Sequence, residues 1–413
     1  MSLRRLESIF EEFSFIHGNV FVLLVSWVLM NFAGHMPETY YSLYVLELGG
    51  TPMSVGVISF SYMIALASVQ FLGGYLADSY GRKRLVVTMT FALALSYLLY
   101  AFAFSWEVIL VGAVLQGLFL VYQPALWAIM ADSLPPERRG VGYALSQLVG
   151  VVSIASPVVA GCIVGWAGLL TGMRVMYMVT VAAYLTAAVL RFRLRETLRP
   201  DAGRPGVFEA LRSYPRAVRE SFTVLKALPR TVLSLSVVYV AFYTFSWMCM
   251  QYYVIYATKF LGVGEGFWAL LSAVWFASMY ASTLPVGKLV DVVGRVAPLL
   301  ASMPLTAAAT WMFIKGGNVL LLTSFVVDGV AISMFSNAYQ SLQTDLVAAE
   351  YRGRVIGFTN FFAYVFGAIG GFVGGYLYEH VHPSFPFTLL MVSQAPLLVF
   401  SALSIREPEV REE

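Results

Sequence analysis

Two charged signatures recur along this chain at one shared spacing. Gly74, Asp78, Gly81 and Arg82 make a Gly-x3-Asp-x2-Gly-Arg core, and Gly287, Asp291, Gly294 and Arg295 repeat it 213 residues later. Asp132, Glu137, Arg139 and Gly140 recur at the same offset as Asp345, Glu350, Arg352 and Gly353. Two separate signatures with one offset mean that a unit of roughly half the chain is built twice. Whatever one half folds into, the other must fold into as well, with counterpart residues related by pseudo-symmetry.

The material between the signatures is apolar. The chain of 413 residues is 59% hydrophobic and 12% charged, where a soluble protein carries about 25% charge. Apolar runs long enough to cross a bilayer as helices fall near 19–47, 54–78, 84–104, 107–132, 140–167 and 173–192, then 230–260, 266–290, 296–315, 318–345, 352–379 and 384–405. The expectation is an all-α polytopic membrane protein with twelve transmembrane helices. The start, Met1 to Glu12, is charged and the first apolar run has full spanning length, so no cleavable leader is expected. The two cysteines, Cys162 and Cys249, sit inside apolar runs and are read as small buried side chains rather than a disulfide.

Charge gives the orientation. Of the 26 Lys and Arg, all but Arg174, Lys259 and Lys315 fall on one side of this twelve-span layout. Positive charge marks the cytoplasmic side, which predicts cytoplasmic termini in a multi-pass plasma-membrane protein. The expected organisation is a cytoplasmic segment 1–18, a six-helix bundle 19–192, a cytoplasmic linker 193–229, a second bundle 230–405 and a tail 406–413. Within the linker, Arg199 to Gly206 is rich in helix breakers. Residues 207–228 then set Val207, Leu211, Val218, Phe222 and Leu225 among charges, the pattern of an amphipathic helix on a membrane surface. The net charge of +3 is accounted for by topology, and no nucleic-acid partner is expected.

Over essentially its whole length the chain resembles the major facilitator superfamily. Asp78, Gly81, Arg82, Lys83 and Arg84 match that family's signature between helices 2 and 3, with Ser79 in place of a usual basic residue. The resemblance is closest to the twelve-helix drug–proton antiporter branch. It implies two pseudo-symmetric six-helix bundles with helices 1, 4, 7 and 10 around a central cavity. It also implies cytoplasmic gate clusters, Asp78, Arg82, Asp132 and Arg139 in one half and Asp291, Arg295, Asp345 and Arg352 in the other, that hold the halves together while the cavity faces outward. The helix 5 run Ser156-Pro157-x2-Ala160-Gly161 faintly matches an antiporter motif. Its counterpart, Gly370-Gly371-x2-Gly374-Gly375, reads chiefly as close helix packing. One departure stands out: the family's helix 4 motif Arg-x2-Gln-Gly is Ala113-x2-Gln116-Gly117 here. The arginine tied to proton coupling in exporters is missing.

Ionisable groups at membrane depth are functional candidates by default. Asn31, His35 and Glu38 share one face of helix 1. Glu38 has Gln251 as its counterpart in helix 7. Glu38 is the expected proton carrier, with His35 and Asn31 as neighbours. Asp328 in helix 10 is the other deep acid. It lies about 180° from Asn337 around the helix, so the stripe with Asn337 and Gln340 is assigned to the cavity and Asp328 to the interior of its own half. The remaining cavity candidates are Tyr62, Gln116, Gln123, Trp127 and Gln147 in the first half, and Tyr243, Trp247, Gln251, Trp275 and Asn360 in the second.

No nucleophile–base set, metal cluster, cofactor motif or phosphate loop is evident, so an enzyme is not expected. The reading is a monomeric secondary transporter in the lipid bilayer, working by alternating access and exporting neutral or cationic amphipathic small molecules in exchange for protons. The alternatives are a symporter or uniporter importing a small polar nutrient, such as a sugar or nucleoside, and a transporter-like receptor.

Overall fold

The computed structural model describes residues 16–135, 139–198, 229–347 and 349–407. The proposed surface helix at 207–228, and Glu137 with it, lies outside the described residues. Among these, twelve helices are long and apolar enough to span a membrane: α1 Gly18–Glu38, α2 Pro52–Val69, α3 Arg82–Ala101, α4 Trp106–Ser133, α5 Leu145–Ala167, α6 Leu169–Arg191, α7 Arg230–Phe260, α8 Glu265–Val293, α9 Val296–Lys315, α10 Asn318–Leu346, α11 Arg352–His380 and α12 Phe385–Ser404. Short helices, Tyr41–Glu47 and Leu72–Tyr80, extend α1 and α2.

Several helices break where proline removes a backbone donor. Pro124 follows a single turn of 3₁₀ helix at Leu120–Tyr122 in α4. Pro157 has no N–H to offer the Ser153 carbonyl, and the preceding stretch Val149–Ile154 of α5 tightens into 3₁₀ geometry. In α1, Pro37 leaves the Ala33 carbonyl without its helical partner. The Thr180 hydroxyl of α6 donates to that oxygen at 2.9 Å. In a membrane, a freed carbonyl needs such a donor.

The duplication is visible in which helices pack together. In the first half α1 packs on α5 and α6, α2 on α4, and α3 on α6; in the second α7 packs on α11 and α12, α8 on α10, and α9 on α12. Each pair has its counterpart six helices on. The halves meet through α2 on α11 and α5 on α8, again one contact made twice. In the charged turns that open α3 and α9, Gly81 and Gly294 carry φ of 94° and 96°. A side chain is strained there, which explains the glycine of each signature.

The side bearing Arg82 and Arg295 is the basic face. On the opposite face the halves are closed by hydrogen bonds. Tyr40 donates to the Glu265 carbonyl at 2.8 Å, Trp268 Nε1 to the Thr39 carbonyl at 2.8 Å, Ser42 to the Gln251 carbonyl at 2.6 Å, and the Met53 amide to Glu379 Oε2 at 2.7 Å. Toward the basic face α4 and α10 form no packed interface. The cleft between the halves is therefore sealed at one end.

Glycines set how closely these helices approach. A Cβ at Gly374 would fall within the Met248 carbonyl of α7, and one at Gly370 would meet the Thr244 carbonyl at 2.5 Å. This supports the packing reading of the α11 glycines. Gly374→Ala is expected to lower stability by about 1–3 kcal/mol, because backbone rather than a flexible side chain must yield. A thermal melt of detergent-solubilised protein at wild-type temperature would refute it.

Candidate functional site

A cavity of about 420 Å³ lies between the halves, and most of its wall belongs to the first half. Glu38 is the one charged residue lining it, with its side chain 68% exposed. Gly34 and Pro37 line the cavity beside it. Around this carboxylate stand Tyr41, Tyr62, Tyr97, Tyr100, Tyr177 and Tyr184, with Gln116 and Gln123 from α4 and Trp247 and Gln251 from α7. Tyr100 donates to Gln116 Oε1 at 3.0 Å, and the Tyr97 and Tyr184 hydroxyls lie 3.5 Å apart. Trp247 reaches across the halves to donate to Ser59 Oγ at 2.8 Å. Such a wall offers aromatic faces, amides and one anion, and it sets no fixed cation against a cargo. Ala113 also lines it, so the position where an arginine would sit is apolar.

His35 stands behind Glu38. Its Nδ1 is 2.7 Å from the Asn31 carbonyl and 3.0 Å from Ser153 Oγ, and its Nε2 is 3.7 Å from Glu38 Oε2. A carbonyl only accepts, so Nδ1 carries the hydrogen and Nε2 faces the carboxylate. Asn31 Nδ2 donates to the Trp27 carbonyl at 2.9 Å. His35 and Asn31 thus stand outside the cavity wall, as supports on the same helix.

Tyr62, Gln116, Gln123, Trp247 and Gln251 line this cavity with Glu38, whereas the other neutral cavity candidates do not. Trp127 is 45% exposed and lies tilted against the Trp27 ring, with centroids 5.3 Å apart. Tyr243 stacks on Trp247 at 5.5 Å, behind the wall. Gln147 and Gln340 are exposed and Asn360 is half-buried, away from the lining. Asn337 donates to the Ser333 carbonyl at 2.8 Å, so the α10 stripe is tied to its own helix. Trp275 turns away to donate to Asp328 Oδ2 at 2.7 Å. Asp328 lies inside the second half, as its angular position on α10 predicts.

The charged turns also resolve into specific partners. Arg82 pairs with Asp132, and its Nη1 donates to Thr197 at 3.1 Å. Arg295 pairs with Asp345 at 3.0 Å. Both pairs join helices of one bundle; in this arrangement they do not tie the halves to each other. Arg352 does not join its cluster but donates to the Val347 and Thr344 carbonyls at 2.9 and 2.8 Å, at the end of α10. Gly74 and Asp291 are exposed. The side chains of Asp78 and Arg139 lie outside the described residues.

Three groups of functional candidates escaped the sequence reading. The tyrosines of α3 and α6 carry no charge and no motif. Their one signal is spacing, Tyr97/Tyr100 and Tyr177/Tyr184 falling on single helical faces. Glu196 and Glu407, in the Arg-Glu pairs after α6 and α12, accept from the Lys83 and Val296 amides at 3.1 and 2.6 Å. These carboxylates cap the starts of α3 and α9. Arg191, counted among the charges of the basic side, is instead fully buried. It donates to Thr90 at 2.7 Å and Ser26 at 3.1 Å and lies over the Tyr122 ring, clamping α6 to α1, α3 and α4.

The sequence profile described as Major Facilitator Superfamily matches residues 15–277 and 235–413. Over 188 residues the chain is 32% identical to a Na(+), Li(+), K(+)/H(+) antiporter of Planococcus maritimus, covering 44% of this chain and 43% of the relative. Over 180 residues it is 30% identical to a multidrug resistance protein B homolog of Mycobacterium tuberculosis, covering 42% of this chain and 33% of the relative. The chain thus spans less than half the length of these curated relatives. The solved structure of a D-xylose-proton symporter superposes with a TM-score of 0.72 at 16% identity, over 94% of this chain and 97% of that one. Agreement at that identity concerns the fold.

Proposed function

The chain belongs to the Major Facilitator Superfamily, so it is a multi-pass membrane transporter rather than an enzyme, and we propose that it exports neutral or cationic amphipathic small molecules in exchange for protons. One observation carries the reading: a single carboxylate, Glu38, in a cavity otherwise lined by aromatic rings and amides. An anionic cargo would meet this carboxylate with no compensating cation. A cation would be drawn to it and would stack on the tyrosines. Glu38 is the proton carrier in this proposal, and the sequence matches to an antiporter and a multidrug resistance homolog support export.

The basic face is cytoplasmic in this proposal, by the distribution of Lys and Arg. The protein acts as a monomer in the plasma membrane. The Arg82–Asp132 and Arg295–Asp345 pairs keep each bundle rigid at its gate end while the halves rock. Asp328 is held in reserve as a second titrating acid inside the second half.

A second reading has its own support. The tyrosine hydroxyls and three glutamines around Glu38 also suit a neutral polyhydroxylated nutrient carried by symport. Right-side-out and inside-out proteoliposomes with a pH probe and a panel of lipophilic cations, sugars and nucleosides separate the two. Cation movement with opposite proton flux supports export. Sugar or nucleoside uptake with parallel proton flux replaces it with the nutrient reading.

A further inference from the structure

The helix faces that line the cavity continue beyond it. On α4, Gln116, Leu120 and Gln123 line the wall, and Trp127 follows one turn nearer the basic face on the same side of the helix. On α1, Trp27 stands two turns before Gly34, in line with Gly34 and Glu38. On α7, Tyr239 and Tyr243 precede Trp247 by two turns and one turn, on the side that carries Trp247 and Met250. Three cavity-lining faces thus run on toward the unsealed end of the cleft, and each continuation is aromatic. An interfacial belt would turn such rings outward to lipid; these share their faces with residues of the cavity wall.

The rings are arranged in pairs. Trp27 and Trp127 lie tilted at 41° with centroids 5.3 Å apart, joining α1 to α4. Tyr239 and Tyr339 stack at 4.3 Å, joining α7 to α10. These are the same helix junctions six helices apart, and Tyr239 and Tyr339 each fall one residue short of the 213-residue counterparts of Trp27 and Trp127. Each half therefore carries one aromatic pair at the same depth. In the second half the rings are continuous with the cavity: Tyr239 stacks on Tyr243 at 6.1 Å and Tyr243 on Trp247 at 5.5 Å. Trp127 is 45% exposed, and Trp27, Tyr239 and Tyr243 are half-buried, so ring surface remains free on the cleft side.

We propose that Trp27, Trp127, Tyr239 and Tyr243 form a vestibule site, at the unsealed mouth of the cleft, that binds ring-bearing organic cations before they reach Glu38. The inference rests on the cation-export reading of the cavity and narrows its cargo class. Trp27 and Glu38 are eleven residues apart on α1, roughly 16 Å of helix. A small cation held by the rings is therefore not yet held by the carboxylate, and the two sites are separate. Tryptophan offers a cation the strongest aromatic face, and a ring on the cargo adds stacking that an alkyl ammonium lacks. With no carboxylate among the four residues, the vestibule holds its ligand loosely enough to pass it on along Tyr243 and Trp247. The vestibule selects for rings and the cavity for positive charge.

Binding of tetraphenylphosphonium to the full chain, counted above protein-free proteoliposomes, tests the site. Wild type is expected to show a tight site and a weak one. Glu38→Gln removes the tight site and keeps the weak one. Trp127→Leu and Tyr239→Leu each weaken the weak site about fivefold and keep the tight one. Trp127→Phe and Tyr239→Phe retain a ring face and stay within about twofold of wild type. Tetrabutylammonium, a cation without rings, occupies the tight site alone. A single site that Glu38→Gln loses and the leucine variants keep at wild-type affinity leaves the cation reading standing and overturns the vestibule. Loss of the weak site as complete in the phenylalanine variants as in the leucine variants shows that ring faces do not hold the cation, and overturns it too. If neither cation binds wild type while a sugar or nucleoside is taken up, the reading beneath fails and the vestibule with it.

Discussion

Glu38→Gln is expected to abolish proton-driven accumulation while leaving counterflow of unlabelled against labelled neutral cargo in place. The glutamine keeps the shape of the cavity wall and removes the one carboxylate that lines it. Each unit of pH gradient is worth about 1.4 kcal/mol, or about tenfold in cargo concentration for one-to-one exchange. The variant loses that entire factor, so its steady-state gradient in proteoliposomes falls to equilibrium. Sign matters as well: with the neutral side chain fixed in place, transport that remains is independent of pH over the range in which wild type responds. Uphill transport at the wild-type level with the wild-type pH profile removes Glu38 from the mechanism, and Asp328 becomes the acid to test. Asp328 is bonded to Trp275 inside the second half, so Asp328→Asn separates the two carboxylates cleanly.

Gly56→Leu is expected to hold the transporter open on the face opposite the basic one and to stop turnover. Gly56 of α2 lies against α11 of the other half. A Cβ there would stand 3.0 Å from the Gly371 carbonyl, 3.0 Å from the Tyr252 hydroxyl and 3.4 Å from the Gly375 Cα. Alanine nearly fits, but the branched leucine must drive backbone from backbone. Rocking the halves apart on this face would part that contact, so the cost falls on the closed arrangement and shifts the population toward the other. Steric costs of about 3 kcal/mol displace such an equilibrium by roughly a hundredfold. In a background without Cys162 and Cys249, a cysteine replacing Tyr41 in the cavity should then react with a membrane-impermeant maleimide from that face. Labelling as slow as in the parent, with normal transport, would refute the assignment of Gly56 to the closing contact.

Much of the molecule follows from the chain alone. Apolar run length dictates helices because a bilayer accepts no unpaired backbone, and the 213-residue offset between charged turns requires a second bundle like the first. Glu38 was legible for the same reason: a carboxylate in an apolar span is costly unless it meets water, a partner or a cargo. Gly81 and Gly294 were legible as signature residues, and their positive φ explains why.

The facing of neutral side chains was legible only in part: Tyr62, Gln116, Gln123, Trp247 and Gln251 line the cavity, while other neutral candidates do not. In a soluble helix, the apolar stripe marks the inside. In a membrane both lipid and core are apolar, so helix rotation leaves little trace in the sequence. Tyr97, Tyr100, Tyr177 and Tyr184 line the cavity and Tyr243 stands behind it, yet in sequence they look alike. Sequence also counted Arg191 among the charges of the basic side, because position along the chain says nothing about a side chain turning back into its own bundle toward Ser26 and Thr90. The ion pairs show the same limit. Composition and spacing supplied Arg82, Asp132, Arg295 and Asp345, but whether each arginine bridges within a half or between halves depends on how the bundles are rocked.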